Sequence, residues 1–400
     1  MPASHLCFTS IEQRGSSDWL RVDPLHDITR TRREEIRTVV QKRNEHEHRV
    51  LSPGNTPSEW SAYAKWEQSL ETLRSKRCRR LKIHHLDSAH AGQGRVLSIY
   101  ERAVNRHPGS SELWKEYLSY AASIKAAKRW RKTMTKALRM MPTDADLWVI
   151  AGRRSARNGD MATARGIFMR GCRFCTQDCK LWLEYARSEM EWLVKVDQRK
   201  KEKKGADALR PDRVDDDDEL CIVDSEDEDE VDDGNMLPEP SRAQAKVIDK
   251  KASEQLKSNP AMDGAIPMAI YDISRKQAFF TPEVAESFFS MFASFKALSV
   301  QPRISQHVLD SLNEAYPNHP STCNCYIRQP ILGVQTNTAD FPRGLRDVLA
   351  RLGEKLDVTT DKLELSRKTA AWIDGYLALG QLDDGIRQVL EYTKEKLELS

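Results

Sequence analysis

Long apolar runs are missing from this chain of 400 residues: none approaches the ~18 residues that a membrane-spanning helix needs. The mean hydropathy of −0.64 and a charged share of 31% describe a polar chain. Residues 1–17 lack a continuous apolar core and a small-residue cleavage site, which argues against a secretory leader. Cysteine is scarce, with 8 irregularly spaced residues. That is too few for a disulfide scaffold and favours a reducing cytosolic or nuclear setting.

Motifs for phosphate, dinucleotide and zinc-peptidase chemistry are missing as well. No Walker loop, no Gly-x-Gly-x-x-Gly after a strand and no His-Glu-x-x-His occurs, so no catalytic, cofactor-binding or metal residue is assigned. Cys172, Cys175 and Cys179 have metal-like spacing but offer only three ligands, with no second cysteine pair or histidine nearby. Buried thiols are the better reading, since Cys172 falls in the slot of Val104 and Leu138. His46, His48, His84, His85 and His90 lie in charged stretches and read as surface residues.

Charge is present but unevenly placed. Residues 1–213 hold 43 Lys and Arg against 26 Asp and Glu, whereas residues 214–400 hold 20 against 34. Residues 215–233 alone contain 13 acidic side chains and no basic one. A basic half points to a polyanionic partner; a solvated helical surface explains it equally well.

The most informative pattern is a repeat. Trp114, Trp148 and Trp182 are spaced by 34 residues, and each follows a leucine. Tyr117, Ala151 and Tyr185 follow three residues later, and Pro108 and Pro142 precede the first two tryptophans by six. Tyr100, Met134 and Phe168 keep the same period, as do Arg102, Lys136 and Arg170. Each unit reads as two helices, because Trp and Tyr at i and i+3 share one face, and so do Val96, Ile99, Tyr100 and Ala103. Proline beyond the second helix ends it. One such pair cannot bury its apolar face alone, so the expected fold is all-α, an α-α superhelix of stacked pairs. Trp60 with Tyr63 marks an earlier unit, its second helix delayed to residues 94–104 by an insertion. Trp182 and Tyr185 begin a unit whose second helix falls at residues 265–275, across the acidic insertion. Trp60, Tyr63, Tyr100, Trp114, Tyr117, Trp148, Trp182, Tyr185, Trp372 and Tyr376 are therefore packing positions.

A 34-residue pair with Trp-x2-Tyr in one helix and Ile99-Tyr100-Glu101-Arg102-Ala103 in the next resembles the half-a-tetratricopeptide (HAT) repeat. With residues 35–43, Trp60 to Leu81 and the segments Tyr326–Gly333 and Ala371–Leu377, the chain resembles fungal members of the Utp-six family. Cys323 stands where a repeat tryptophan is expected before Tyr326. The resemblance implies a non-enzymatic scaffold of the small-subunit processome, without cofactors. It would act in nucleolar pre-18S rRNA maturation and dock other subunits, β-propeller proteins among them, near small nucleolar RNA. A direct RNA-binding module, or a HAT factor of mRNA splicing or 3′-end processing, are the competing readings.

The expected organisation is residues 1–30 unassigned, a repeat region over 31–193, a charged linker over 194–264 and a helical repeat region over 265–400. Residues 199–204 have the composition of a nuclear-localisation patch, and Ser225 lies in an acidic kinase context. Further helices are expected at 267–274, 282–298, 304–315, 345–356, 372–379 and 386–397, with Phe288, Phe292 and Phe295 as a core stripe and a loop at 336–342. Candidate polyanion or partner contacts are Arg77, Arg79 and Arg80, in a basic cluster of the inserted segment, and Lys125, Lys128, Arg129, Lys132 and Lys136, expected on one helical face.

Overall fold

A computed structural model describes residues 33–80, 91–207, 264–336, 338–378 and 382–398. Among them the chain forms fifteen α-helices, one short 3-10 turn and no strand, so the protein is all-α. In chain order these are α1 (Arg33–Leu51), α2 (Pro57–Arg80), α3 (Ala91–Arg106), α4 (Ser111–Ser123), α5 (Ala127–Met140), α6 (Ala145–Arg157), α7 (Met161–Phe174) and α8 (Cys179–Asp207). They continue with α9 (Ala265–Ser274), α10 (Pro282–Ala293), α11 (Gln301–Ala315), α12 (Pro320–Arg328), α13 (Asp340–Val358), α14 (Lys362–Leu377) and α15 (Asp384–Glu398). Residues 1–30, the acidic tract with Ser225, Lys82, and His84, His85 and His90 lie outside the described residues.

The described residues divide into two compact units, one ending at Met141 and one starting at Pro142. In the first, α2 packs on α3, and α4 packs on α3 and α5. Trp60, Tyr63, Tyr100, Trp114 and Tyr117 are all buried there, as the repeat requires. In the second, α6 packs on α7 and α8, and α8 packs on α9, so the unit split by the acidic insertion does close. Trp148, Trp182 and Tyr185 are buried in it.

Two local devices set the register. The indole N–H of Trp114 donates to the Pro108 carbonyl at 2.8 Å, and that of Trp148 to the Pro142 carbonyl at 2.7 Å. The proline thus leaves the helix and also returns a carbonyl to the buried ring, which satisfies a donor that burial would otherwise leave costly. The second device is an aromatic pair seventeen residues apart, joining a second helix to the next first helix. Tyr100 stacks on Tyr117 with centroids 5.7 Å apart, and Phe168 on Tyr185 at 5.0 Å. Tyr271 meets Phe288 edge-on at 5.5 Å in the same spacing. His46 also belongs to this series, stacked on Tyr63 at 5.2 Å. It is half-buried rather than a surface residue, because α1 occupies a second-helix position. In the register that aligns His46 with Tyr100, Lys42, Glu45 and Arg49 replace the buried Val96, Ile99 and Ala103, and all three are exposed.

Close packing also explains one glycine. Ala103 and Ala137 are followed in the repeat by Gly171, where a Cβ would lie 2.8 Å from Trp148 and 2.9 Å from Leu181.

Several expected boundaries move. The inserted basic cluster is no separate segment: α2 runs on to Arg80 and carries it. Helix α8 continues to Asp207, into the stretch that charge assigns to the linker, so residues 199–204 are helical. Helix α10 ends at Ala293, leaving Phe295 half-buried beyond it, and Phe289 joins Phe288 and Phe292 in the core instead. Helix α13 begins at Asp340, inside the expected loop, and α12 is an unexpected helix. Trp372 and Tyr376 are not in buried repeat positions. The buried face of α14 is Leu365, Ser366, Thr369 and Ile373, and both aromatic rings pack half-buried at the edge of the cluster around Ile373 and Leu390.

Candidate partner-binding groove

Helix α5 buries Trp130, Met134, Ala137 and Leu138 on one side. Its other side holds Lys128, Arg129, Arg131, Lys132, Lys136 and Arg139, all exposed, and the helix contains no acidic residue. Lys128, Lys132 and Lys136 are four residues apart, so they form a row with a rise of ~6 Å per step. Like charges at i and i+4 destabilise a helix by roughly 0.2–0.5 kcal/mol per pair, and Lys128 and Arg129 in the first turn also oppose the helix dipole. This cationic face is therefore locally unfavourable, as functional sites often are.

The row forms one wall of a groove of about 600 Å³ inside the first compact unit. Glu101 and Val104 of α3 form the opposite wall, with Trp114 and Tyr117 of α4 beneath. Arg129 pairs with Glu101 at 2.9 Å, and Lys136 Nζ donates to Asn105 Oδ1 at 2.5 Å. Desolvation works against the charge of Arg129, but Tyr117 and Glu101 beside it hold its pKa above the ordinary guanidinium value. Glu101 and Asn105 escape a reading for cationic patches. Comparing α3 with α5 along the 34-residue period is the signal that finds them.

Four of the five cations expected on this face line the groove: Lys128, Arg129, Lys132 and Lys136. Lys125 does not belong to the helix. It closes α4 in the left-handed conformation, with φ of 59°. Arg77, Arg79 and Arg80 form the last turn of α2, where cations favour the helix dipole. Arg77 pairs with Glu35 at 3.2 Å, whereas Arg79 and Arg80 are exposed. Arg74, from the same cluster, is buried against Glu71 at 2.6 Å. Arg74 and Arg77 thus have acidic partners within the fold.

Cys172 and Cys175 are buried, and the Cys175 thiol donates to the Thr143 carbonyl at 3.4 Å. Burial raises the thiol pKa of both. Among the described residues no group of three His, Cys, Asp or Glu is placed to hold a metal ion, and no helix is long and apolar enough to cross a membrane.

Residues 25–97 match the family model described as U3 small nucleolar RNA-associated protein 6. That span includes α1, α2 and the start of α3. A Schizosaccharomyces pombe protein of that name is 32% identical over 167 residues, which is 41% of this chain and 34% of the relative. The Homo sapiens homologue is 23% identical over 185 residues, covering 44% of this chain and 31% of the relative. The Dictyostelium discoideum homologue is 22% identical over 162 residues, or 40% and 27%. The chain thus spans about a third of the length of the curated relatives it matches. Through its N-terminal helices and these relatives, the chain is similar to the U3 small nucleolar RNA-associated protein 6 family.

Proposed function

We propose that this chain is a non-enzymatic scaffold subunit of the small-subunit processome, acting in nucleolar pre-18S rRNA maturation. The observation that carries the reading is the family match over residues 25–97, with relatives all named for association with U3 small nucleolar RNA. Stacked helical pairs suit the role, because each repeat contacts its neighbours and leaves long outer faces for partners. Other processome subunits, β-propeller proteins among them, dock on those faces, and the buried aromatic positions keep the faces in register. A direct RNA-binding module is the second reading, favoured by the cationic row on α5.

Purification of the tagged full chain from cell extract, with and without nuclease, tests both. The scaffold reading expects processome proteins to remain bound after RNA is digested. Loss of every partner with the RNA supports the RNA-binding module. Absence of both U3 RNA and processome proteins from untreated extract overturns the proposal.

A further inference from the structure

We propose that the face formed by α10, α12 and α14 docks an acidic, apolar segment of a partner protein. Arg328 takes a carboxylate of that segment, and Trp372 and Tyr376 hold its apolar side chains. This rests on the scaffold reading and names the chemistry of one of its docking sites. Helix α12 packs on both α10 and α14, within the second compact unit. Across these helices Asn324 donates to Glu286, and Lys368 reaches the same carboxylate at 2.5 Å, so this row matches cation with anion. One turn further along each helix stand Ser290, Arg328 and Trp372. The second row holds a cation and no acid. Arg328 makes one long hydrogen bond, to Ser290 Oγ at 3.4 Å. Its Nε is buried and finds no acceptor among the described residues, and no carboxylate among them pairs with it.

The helix dipole favours a cation in the last turn of α12, but it offers Nε no acceptor. A buried donor of a charged group is costly to leave unmade, and an anion brought by a partner satisfies it. The ring beside it feels the same charge: burial raises the Tyr376 pKa, and Arg328 opposes that rise. Trp372 and Tyr376 meet edge-on at 5.2 Å and stay half-buried, because Thr369 and Ile373 take the core positions of α14. Tryptophan, tyrosine and arginine are the side chains that dominate binding energy at protein interfaces. RNA, by contrast, is held through many phosphates, each matched by a cation. The other basic residues of these three helices, Lys362, Arg367 and Lys368, already pair with carboxylates. One unmatched guanidinium beside two rings suits a single carboxylate with apolar neighbours, not a phosphate chain.

The test uses the purified full chain and three probes: a synthetic peptide Ser-Leu-Phe-Asp-Leu-Phe-Ser, the same peptide with Asn for Asp, and a uridine oligoribonucleotide. The Asp peptide should bind and raise the melting temperature of the chain. The Asn peptide should bind roughly tenfold more weakly. Arg328→Met keeps the length of the side chain and removes a charge that has no partner, so melting without peptide should hold or rise. That variant should bind the Asp peptide no better than the Asn peptide. Serine in place of both phenylalanines should weaken binding to the wild-type chain by roughly tenfold as well. No binding of the Asp peptide to the wild-type chain, equal binding of the Asp and Asn peptides, or a lowered melting temperature for Arg328→Met overturns the proposal. A fall in oligouridine affinity for Arg328→Met with unchanged Asp-peptide affinity assigns the face to RNA and also overturns it. Because the components are purified, these outcomes are independent of whether the chain co-purifies with the processome.

Discussion

His46 lies flat on Tyr63, with ring centroids 5.2 Å apart and planes 8° from parallel. Tyr100 and Tyr117 repeat this arrangement at the same spacing of seventeen residues, so the imidazole fills an aromatic slot of the repeat. Desolvation by burial is the main reason its pKa lies below 6.5, and Arg49 and Lys42 lower it further against Glu45 and Glu67. Because folding lowers this pKa, the unfolded chain takes up the proton first as pH falls through 6.5, and stability declines with it. His46→Phe keeps the stack and removes the titration. In urea melts of the full chain at pH 7.5 and 5.5, the variant should lose less stability on acidification than wild type. Equal losses would show that the ring is not desolvated by the stack.

Trp148 combines zero exposure, a stack on Phe174 at 5.7 Å and the hydrogen bond to Pro142. Trp148→Ala should destabilise by ~3–5 kcal/mol, the range for large aromatic truncations. Trp148→Phe keeps most of the volume but removes the indole N–H that donates to the Pro142 carbonyl, so a smaller cost of ~1 kcal/mol is expected from that bond. Denaturant midpoints for the two variants should fall in that order. A wild-type midpoint for Trp148→Ala refutes the packing role.

The repeat could be read in the sequence because tryptophan is rare and its period is regular. Helix α12 could not. Its buried face includes Ser321, Thr322 and Asn324, and Ser321 and Asn324 are held by polar contacts rather than apolar periodicity. Lys368 reaches Glu286 at 2.5 Å and Ser321 at 2.7 Å, and Asn324 donates to the same Glu286. These partners lie on α10 and α14, far along the chain. Trp372 misled for the opposite reason: a large ring near the end of a helix looks like core, but Leu365, Thr369 and Ile373 take that place. At the groove, the cations were legible as a cluster. Their partners Glu101 and Asn105, 28 and 31 residues away, depend on how α3 and α5 pack.

Two buried ion pairs occupy one register at separate places in the chain. Arg43 pairs with Glu67, and Arg165 with Glu189, each arginine preceding its glutamate by 24 residues. Burial raises the pKa of Glu189, and Arg165 opposes that rise. Removing the arginine leaves a carboxylate with no counter-charge, and breaking such pairs costs ~3–5 kcal/mol. Arg165→Met should therefore be strongly destabilising at pH 7. Adding Glu189→Leu should recover much of the loss, because a well-packed apolar pair can match a buried ion pair. If the double variant is no better than the single one, the pair does more than neutralise charge, and a thermal melt of both distinguishes the cases.

Lys125 and Gly159 are one period apart and do the same work. Each closes a first helix in the left-handed region, with φ of 59° and 95°. At the first, Lys125 N–H donates to Ala122 and Ala126 N–H to Ala121; at the second, Gly159 N–H donates to Ala156 and Asp160 N–H to Ser155. This hydrogen-bond pattern favours glycine at the left-handed position, where a Cβ is penalised. A Cβ at Gly159 would meet nothing within 4 Å, so backbone conformation alone sets the preference there. Lys125→Gly should stabilise the first unit by ~0.5–1 kcal/mol, and Gly159→Ala should destabilise the second by a similar amount. A lower midpoint for Lys125→Gly would mean that the greater freedom of the unfolded glycine chain outweighs the relieved strain.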